Sequence, residues 1–480
     1  MFSRLPYYLI ALLTVAAWFG PDPSVLAKTP DRPDQKALQA YVQWQEAGNP
    51  DAQGKNVSLT SQFPDPDWWQ SFNDPHLNTY IKDALANNPG VNAARTRVEE
   101  ARAQAREDFA TLLPSVSLAP SITRYKLPSS LGSALPVPDP LKIYQMPLSA
   151  SWEVDLFGKN IDKVKSANRQ TEATLWDSRT ADLMLESDVA GAYFNLLRAD
   201  HSVATQTQNV DLLSRIVVLK QNQHQLGVLS YDEVIRTNRD LAQAQSDLAS
   251  DKKEQALFAH QLSVLTGDTP KSADNLERGR LEDLSLPDKV NAGIPSALVT
   301  RRPDVVASEK RLDAAGIDVR EARKEFLPTI NLSAALSFIS LKGSNWLSSA
   351  NLINDEAGSI TQGLFKGGAV LAHFHLSKAR YQEAIDNYRQ TVLNAFKDAE
   401  DGISQLQAAN QNMTDDSQRL ALTAKDVQLQ QDLYQHGLIA KLDVLQSQSE
   451  EIRYEQQASD SKADALIALV GLYKALGGGF

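Results

Sequence analysis

Seven histidines are scattered along the 480 residues, and only His373 and His375 stand close enough together to share a metal ion. Zinc and its relatives need three or four nitrogen, sulfur or carboxylate ligands. The chain has no cysteine and no acidic cluster beside that pair, so no metal centre is expected. No nucleophile elbow and no phosphate-cradling glycine loop occurs either. The sequence thus assigns no catalytic residue and no cofactor, and the chain is not read as an enzyme. The acidic residues with a distinctive setting are Glu233 and Asp443, each six residues after a glycine, Gly227 and Gly437. Ser230 precedes Glu233 at the spacing of a capping box, and carboxylates in a first helical turn favour the helix dipole.

Those residues need elements to hold them, and composition says which kind. Charged residues make up 22% and aromatics 7%, with a mean hydropathy of −0.34. That balance suits long, solvated helices better than one large core. A net charge of −11 argues against nucleic acid as a partner, because phosphate contacts need a basic surface. Without cysteine, redox chemistry gives no compartment. The N-terminus does: Arg4, an apolar run from Leu5 to Gly20, and Val25-Leu26-Ala27 predict an export signal over 1–27, cleaved after Ala27. No later segment is apolar enough for a membrane-spanning helix, so a role in a membrane requires β-strands.

The chain repeats itself. Asn88-Pro89-Gly90-Val91 matches Arg302-Pro303-Asp304-Val305, and Leu113-Pro114 matches Leu327-Pro328, at an offset of 303 − 89 = 214. Later matches run at 210: Asp188 with Asp398, Gly227 with Gly437, Gly267 with Gly477. A period this long denotes a duplicated domain, not a solenoid. The expected division is an irregular periplasmic arm over 28–72 (docked through Trp68-Trp69), a first repeat over 73–285, a second over 286–476, and a tail over 477–480.

Within each repeat the period changes. Val116, Leu118, Pro120 and Ile122 alternate with Ser115, Ser117, Ala119 and Ser121. Tyr144, Met146, Leu148, Ala150, Trp152 and Val154 alternate with polar or small residues, as do Ile330, Leu332, Ala334, Leu336 and Phe338. These are period-two strands with one apolar face. The spacing predicts strands over 115–125, 143–154 and 329–340, a fourth over 358–365, and a Pro-rich loop from Lys126 to Lys142. Helical hairpins are expected over 159–266 and 368–475. Lys159 to Gln225 and Lys378 to His436 contain no proline, and each leads to a turning glycine. Leu212, Ile216 and Leu219, and Leu445, Ile452, Leu466 and Tyr473, carry heptad-like spacing.

Four strands cannot close a barrel, and open edges are not tolerated in lipid. Three copies pool twelve strands. Two would make an eight-stranded barrel, whose interior side chains fill. The expected fold class is therefore α+β: a trimeric outer-membrane β-barrel, four strands per chain, continuous with a long periplasmic α-helical coiled-coil barrel.

At this point the sequence resembles the TolC/NodT-type outer-membrane factors. The resemblance rests on Ser151-Trp152-Glu153-Val154-Asp155-Leu156-Phe157-Gly158, Arg301-Arg302-Pro303-Asp304-Val305, Phe326-Leu327-Pro328 and Ala395-Phe396-Lys397-Asp398-Ala399-Glu400-Asp401. It implies a homotrimer in outer-membrane lipid, extending into the periplasm. It also implies a periplasmic adaptor (membrane fusion) protein and an inner-membrane pump of RND or MFS type, with small molecules as cargo. A type I protein-secretion channel is the alternative, and a soluble periplasmic coiled-coil binding protein a further one. By the same resemblance Glu233 and Asp443 line a periplasmic gate, where Gln446 stands at a position often acidic in the family. Leu226, Gly227, Val228, Leu229 and Ser230, with His436, Gly437, Leu438, Ile439 and Ala440, are the adaptor-docking tips. Many relatives carry a lipidated cysteine after the signal. Lys28 follows Ala27 here, so the barrel alone is expected to hold the protein in the membrane.

Overall fold

The computed structural model describes residues 57–58, 66–126, 140–287, 290–291 and 301–479. The expected export signal, most of the 28–72 arm, most of the Pro-rich loop and Phe480 lie outside the described residues. In chain order the elements are β1 (Val57–Ser58), α1 (Pro75–Asn87), α2 (Pro89–Ala110), β2 (Ser115–Leu118), β3 (Ser121–Tyr125), β4 (Leu141–Val154), α3 (Lys159–Gln225) and α4 (Tyr231–Leu265). There follow β5 (Val290–Asn291), α5 (Pro303–Lys324), β6 (Thr329–Ser340), β7 (Leu352–Thr361), α6 (Ala369–Gln435) and α7 (Lys441–Ala475). The fold is α+β.

Helix lengths recur in pairs. α2 and α5 have 22 residues each, α3 and α6 have 67, and α4 and α7 have 35. Proline and glycine set those ends. Pro89 and Pro303 occupy first helical positions, where a missing N–H costs nothing. At about 1.5 Å per residue, α3 and α6 are each roughly 100 Å long.

The chain divides into two compact units. One is drawn from Val98–Thr174 and Ser308–Tyr388. It holds an antiparallel sheet in the order β2-β4-β6-β7, with β3 also paired to β4. β2 and β3 are one run interrupted at Ala119-Pro120, and the register onto β4 is the same on both sides, from Ser115 opposite Ser151 to Tyr125 opposite Leu141. The interruption falls where Pro120 and, on the facing strand, Pro147 lack the N–H a ladder needs. Cross-strand partners share a face. One face therefore carries Val116, Leu118, Ile122, Tyr144, Met146, Leu148, Trp152, Val154, Ile330, Leu332, Leu336, Phe338 and Ile360. The other carries mostly serine, threonine, asparagine and alanine.

The fourth strand corrects the sequence reading. It runs from Leu352 to Thr361, not over 358–365. Its alternation is spoiled because Asn354 and Glu356 point to the apolar face, opposite Leu336 and Ala334. Leu364-Phe365 instead begins the turn into α6, with Phe365 88% exposed. Behind the sheet, α5 and α6 bury Leu312, Val319, Phe374, Tyr381 and Ile385 in a small cluster. At the other strand-to-helix junction Gly158 takes a positive φ of 73°. There Lys324 donates to the Gly158 carbonyl at 2.9 Å and to Asp162 at 2.6 Å.

The second unit comprises Leu175–Ala307, Arg389–Phe480 and the described part of Asp34–Arg97. Its main core gathers Tyr193, Phe194 and Leu197 of α3, Leu262 of α4, Leu406 of α6, and Leu466, Leu469 and Tyr473 of α7. Trp68 and Trp69 dock into it at 2% and 5% exposure, as their position in the arm predicts. Trp68 lies 5.2 Å from the Tyr473 ring. Asp74 caps α1 by accepting from His76 N at 2.8 Å and Leu77 N at 3.2 Å, and its other oxygen accepts from Tyr193 OH at 2.6 Å. A single buried carboxylate thus joins local capping to tertiary packing.

Candidate functional site

Both expected tips are built alike. α3 ends in a Schellman turn: Val228 N donates to Gln223 O at 2.9 Å and Gly227 N to His224 O at 2.9 Å, with Gly227 at φ 74°. α6 ends the same way, with Leu438 N on Leu433 O at 3.0 Å, Gly437 N on Tyr434 O at 2.9 Å, and Gly437 at φ 73°. The left-handed residue is what reverses the chain within five residues, from Gln225 to Tyr231 and from Gln435 to Lys441. Leu226, Val228 and Leu438 are left 79%, 76% and 70% exposed, while Leu229 and Ile439 are half-buried under them. Ser230, His436 and Ala440 are exposed. Three projecting aliphatic side chains on capped, rigid turns form a surface that water covers poorly.

The acidic pair behaves differently from the capping prediction. Ser230 makes no capping bond, so the box expected at Glu233 does not form. Glu233 is turned toward α3 instead, where Lys220 Nζ lies 3.3 Å from its carboxylate. Lys220 is the better partner because its ammonium is largely buried and needs a counter-charge more than Ser230 needs an N–H. The capping bond sits on the second tip. Asp443 accepts from Ala440 N at 3.0 Å, and Ala440, which has no side-chain oxygen, reciprocates only through its carbonyl, accepting from Asp443 N at 3.1 Å. Asp443 remains exposed, whereas Glu233 is half-neutralised.

Above the tips, α3 packs on α7 through Leu212, Ile216 and Leu445, the residues singled out by heptad spacing. Gln206 of α3 donates to Ala244 O of α4, and Thr205 donates to Gln456 of α7 at 2.6 Å. Between these three helices runs an open groove of about 820 Å3. Asp240, Asp247, Asp251, Glu450 and Asp460 line it, with Lys220 and Arg453. Burial raises the carboxyl pKa values of Asp251 and Asp460 above the ordinary range. Reading the sequence for motifs passes over this stripe and over Lys220. The signal was present as acids at 240, 247, 251 and 254, a spacing of seven, four and three that lies along one side of a helix.

His373 makes no cluster with its neighbour in sequence. It pairs with Glu325 at 3.1 Å, and His375 stacks beside Phe374. Among the described residues no group of three or more histidines and carboxylates is placed to hold a metal ion, and no helix is long and apolar enough to cross a membrane.

The architecture has known counterparts. The chain is 30% identical over 426 residues to the pyoverdine export outer membrane protein OpmQ of Pseudomonas aeruginosa, covering 86% of this chain and 87% of that one. It is 28% identical over 432 residues to the cation efflux system protein CusC of Escherichia coli, covering 88% and 91%. Its fold matches the crystal structure of the outer membrane protein VceC of Vibrio cholerae with a TM-score of 0.78 at 26% identity, over 87% of this chain and all of that one. The model of the family described as outer membrane efflux protein matches residues 80–268 and 294–478, once in each half. The chain belongs to the outer membrane efflux protein family.

Proposed function

We propose that three copies of this chain form the outer-membrane exit duct of a tripartite efflux system. The duct passively conducts small molecules delivered by a periplasmic adaptor and an inner-membrane pump. One observation carries the reading: a sheet with one face of exposed large apolar side chains, one face of small hydroxylated ones, and two unpaired edges, β2–β3 and β7. Val116, Ile122 and Ile360 are each more than 60% exposed in the single chain. An apolar face that large belongs against hydrocarbon, and the edges demand closure by further copies. The chain acts as a conduit and not as a catalyst. Each half, 73–285 and 286–476, is one copy of the repeated unit. In this reading Glu233 and Asp443 sit at the periplasmic aperture, and residues 226–230 and 436–440 meet the adaptor.

The relatives carry different cargoes by name, pyoverdine for OpmQ and cations for CusC. The acidic groove and the net charge favour cationic or neutral organic solutes for this chain. The experiment is membrane fractionation followed by mass measurement in detergent. The expected result is an outer-membrane trimer that inserts as a channel in planar bilayers; a soluble monomer overturns the reading.

A further inference from the structure

Two residues of opposite charge stand on the apolar face of the sheet, one in each edge strand, and Lys142 of β4 stands there too. Ile122 faces Tyr144, and two residues on Arg124 faces Lys142, so Arg124 lies in the apolar row of β3. Glu356 faces Ala334, which faces Ala150, so Glu356 lies in the apolar row of β7. Neither is satisfied among the described residues. Glu356 accepts only a 3.4 Å bond from Asn354 among the described residues. Arg124 is directly opposite another cation. Like charges across a ladder repel, and an unpaired charge on a lipid-facing strand is destabilising.

The register says what meets these residues. The row of partnered residues Ser115, Ser151, Ser333, Ala357 runs straight across the sheet. It meets β2 at its first residue, β4 three residues short of its end at Val154, β6 four residues past its start at Thr329, and β7 four residues short of its end at Thr361. The row therefore slides four residues along the strands over three steps. Its three steps add three, one and no residues, a mean of about 1.3, and a fourth step of that mean, across the seam to another copy, brings the total to between five and six. Pleating permits only an even total if apolar faces are to stay continuous. A total of about six per copy gives about eighteen around twelve strands, which corresponds to a strand tilt of about 45°.

We propose that this seam pairs β7 of one copy antiparallel with β2–β3 of the next, setting Glu356 opposite Ile122 of the partner subunit and diagonal to Arg124 of the partner subunit. The inference rests on the three-copy reading above and adds the register and the charge pair. Diagonal neighbours are about 7–8 Å apart at Cα, within reach of an arginine and a glutamate side chain. Three such pairs neutralise six of the nine charges on that face, Lys142 of each copy being the remainder, and penalise any slip of register.

The chain has no native cysteine, so the seam is directly testable. The full-length protein is purified in detergent and its mass measured. Ile122→Cys with Glu356→Cys is then expected to give dimers and trimers on non-reducing gels, and Ile122→Cys with Asp355→Cys far less. In a Lys142→Gln background, which removes the cation opposite Arg124, Arg124→Glu and Glu356→Arg are each expected to lower the temperature at which the trimer dissociates, and the double reversal to restore it. Arg124→Gln and Glu356→Gln serve where a reversal fails to assemble, and each is expected to show a smaller loss in the same direction. A wild-type trimer whose double reversal is no better than the single ones overturns the charge pair while leaving the trimer standing. Loss of bound lipopolysaccharide on Arg124→Glu, without rescue by Glu356→Arg, reassigns that cation to an anionic lipid and overturns it too. A wild-type monomer overturns both the seam and the three-copy reading.

Discussion

Arg302 donates from Nη1 to the carbonyl of Ala475 at 2.9 Å, tying the start of α5 to the end of α7. The equivalent residue of the first half, Asn88, donates to the carbonyl of Leu265 at the end of α4, also at 2.9 Å. Two different side chains thus close the two halves in the same way, each satisfying a terminal carbonyl that the helix leaves without a partner. Arg302 does more than Asn88, since its guanidinium also engages Asp304 at 2.8 Å and Asp398 at 3.2 Å. Both carboxylates are part-exposed and can rehydrate, so the full penalty of a broken buried pair does not apply. Arg302→Ala is expected to destabilise by about 2 kcal/mol and Asn88→Ala by about 1 kcal/mol, read from thermal unfolding of the purified protein. Equal costs would show that the carbonyl bond alone matters.

Glu186 is a buried acid in the main core, 4% exposed, with Trp68 Nε1 donating to it at 3.3 Å. Burial pushes its carboxyl up to about 8, against the opposing effect of that hydrogen bond. The folded value lies above the ordinary 4.5, so the protonated acid favours the fold. Its contribution is complete below the unfolded value and is lost as pH rises through about 8. The wild type should therefore lose on the order of a few kcal/mol between about pH 5 and pH 9 from this group. Glu186→Gln keeps an acceptor for Trp68 and cannot ionise. Its melting temperature should match the wild type in acid and exceed it in mild base; a parallel decline in both would reject the assignment.

Gly227 and Gly437 sit in open space, with no heavy atom near the position a Cβ would take. Alanine there meets only the left-handed backbone, at about 1–2 kcal/mol per site. Gly267 has a similar φ, but its Cβ would stand 2.8 Å from the Asn87 carbonyl oxygen. Gly267→Ala should therefore cost clearly more than Gly227→Ala. Hydrogen exchange is the check: faster exchange confined to the turn is expected for Gly227→Ala, and spread through α1 and α4 for Gly267→Ala.

The helices were legible because punctuation fixes them. Pro89, Pro303, Gly227 and Gly437 place ends that depend on backbone chemistry alone. The strands β2, β4 and β6 were legible for a related reason, since each keeps its apolar residues on one face. β7 was misplaced because Asn354 and Glu356 occupy that face, and a period-two reading slides to the next apolar pair, Leu364-Phe365. A residue that serves a neighbouring molecule breaks the local pattern by which its own strand is recognised. The capping box was misassigned for a different reason. Ser230 and Glu233 have the right spacing, but Lys220 lies thirteen residues earlier and approaches only once the hairpin has folded. Sequence spacing lists the local partners of Glu233 and is silent about those across the turn.

That ion pair gives the aperture its sharpest test. Glu233 is shared with Lys220 at 3.3 Å, while Asp443 is held by the backbone of Ala440 and keeps its whole charge toward solvent. A backbone N–H orients a carboxylate without cancelling it, so Asp443 should contribute more to the field at the tips than Glu233 does. In planar bilayers Asp443→Ala is expected to weaken block by multivalent cations more than Glu233→Ala, and the double variant to raise single-channel conductance above either. Lys220→Met should act in the opposite sense, because it leaves Glu233 only the looser Arg236 partner at 3.9 Å and makes the net charge of the proposed trimer more negative by three. Cation selectivity, read from the reversal potential in a salt gradient, should then rise, and Lys220→Met combined with Glu233→Gln should return it to the wild-type value. If conductance, block and selectivity are all unmoved by these five variants, the two carboxylates serve the helix ends alone and the aperture lies elsewhere.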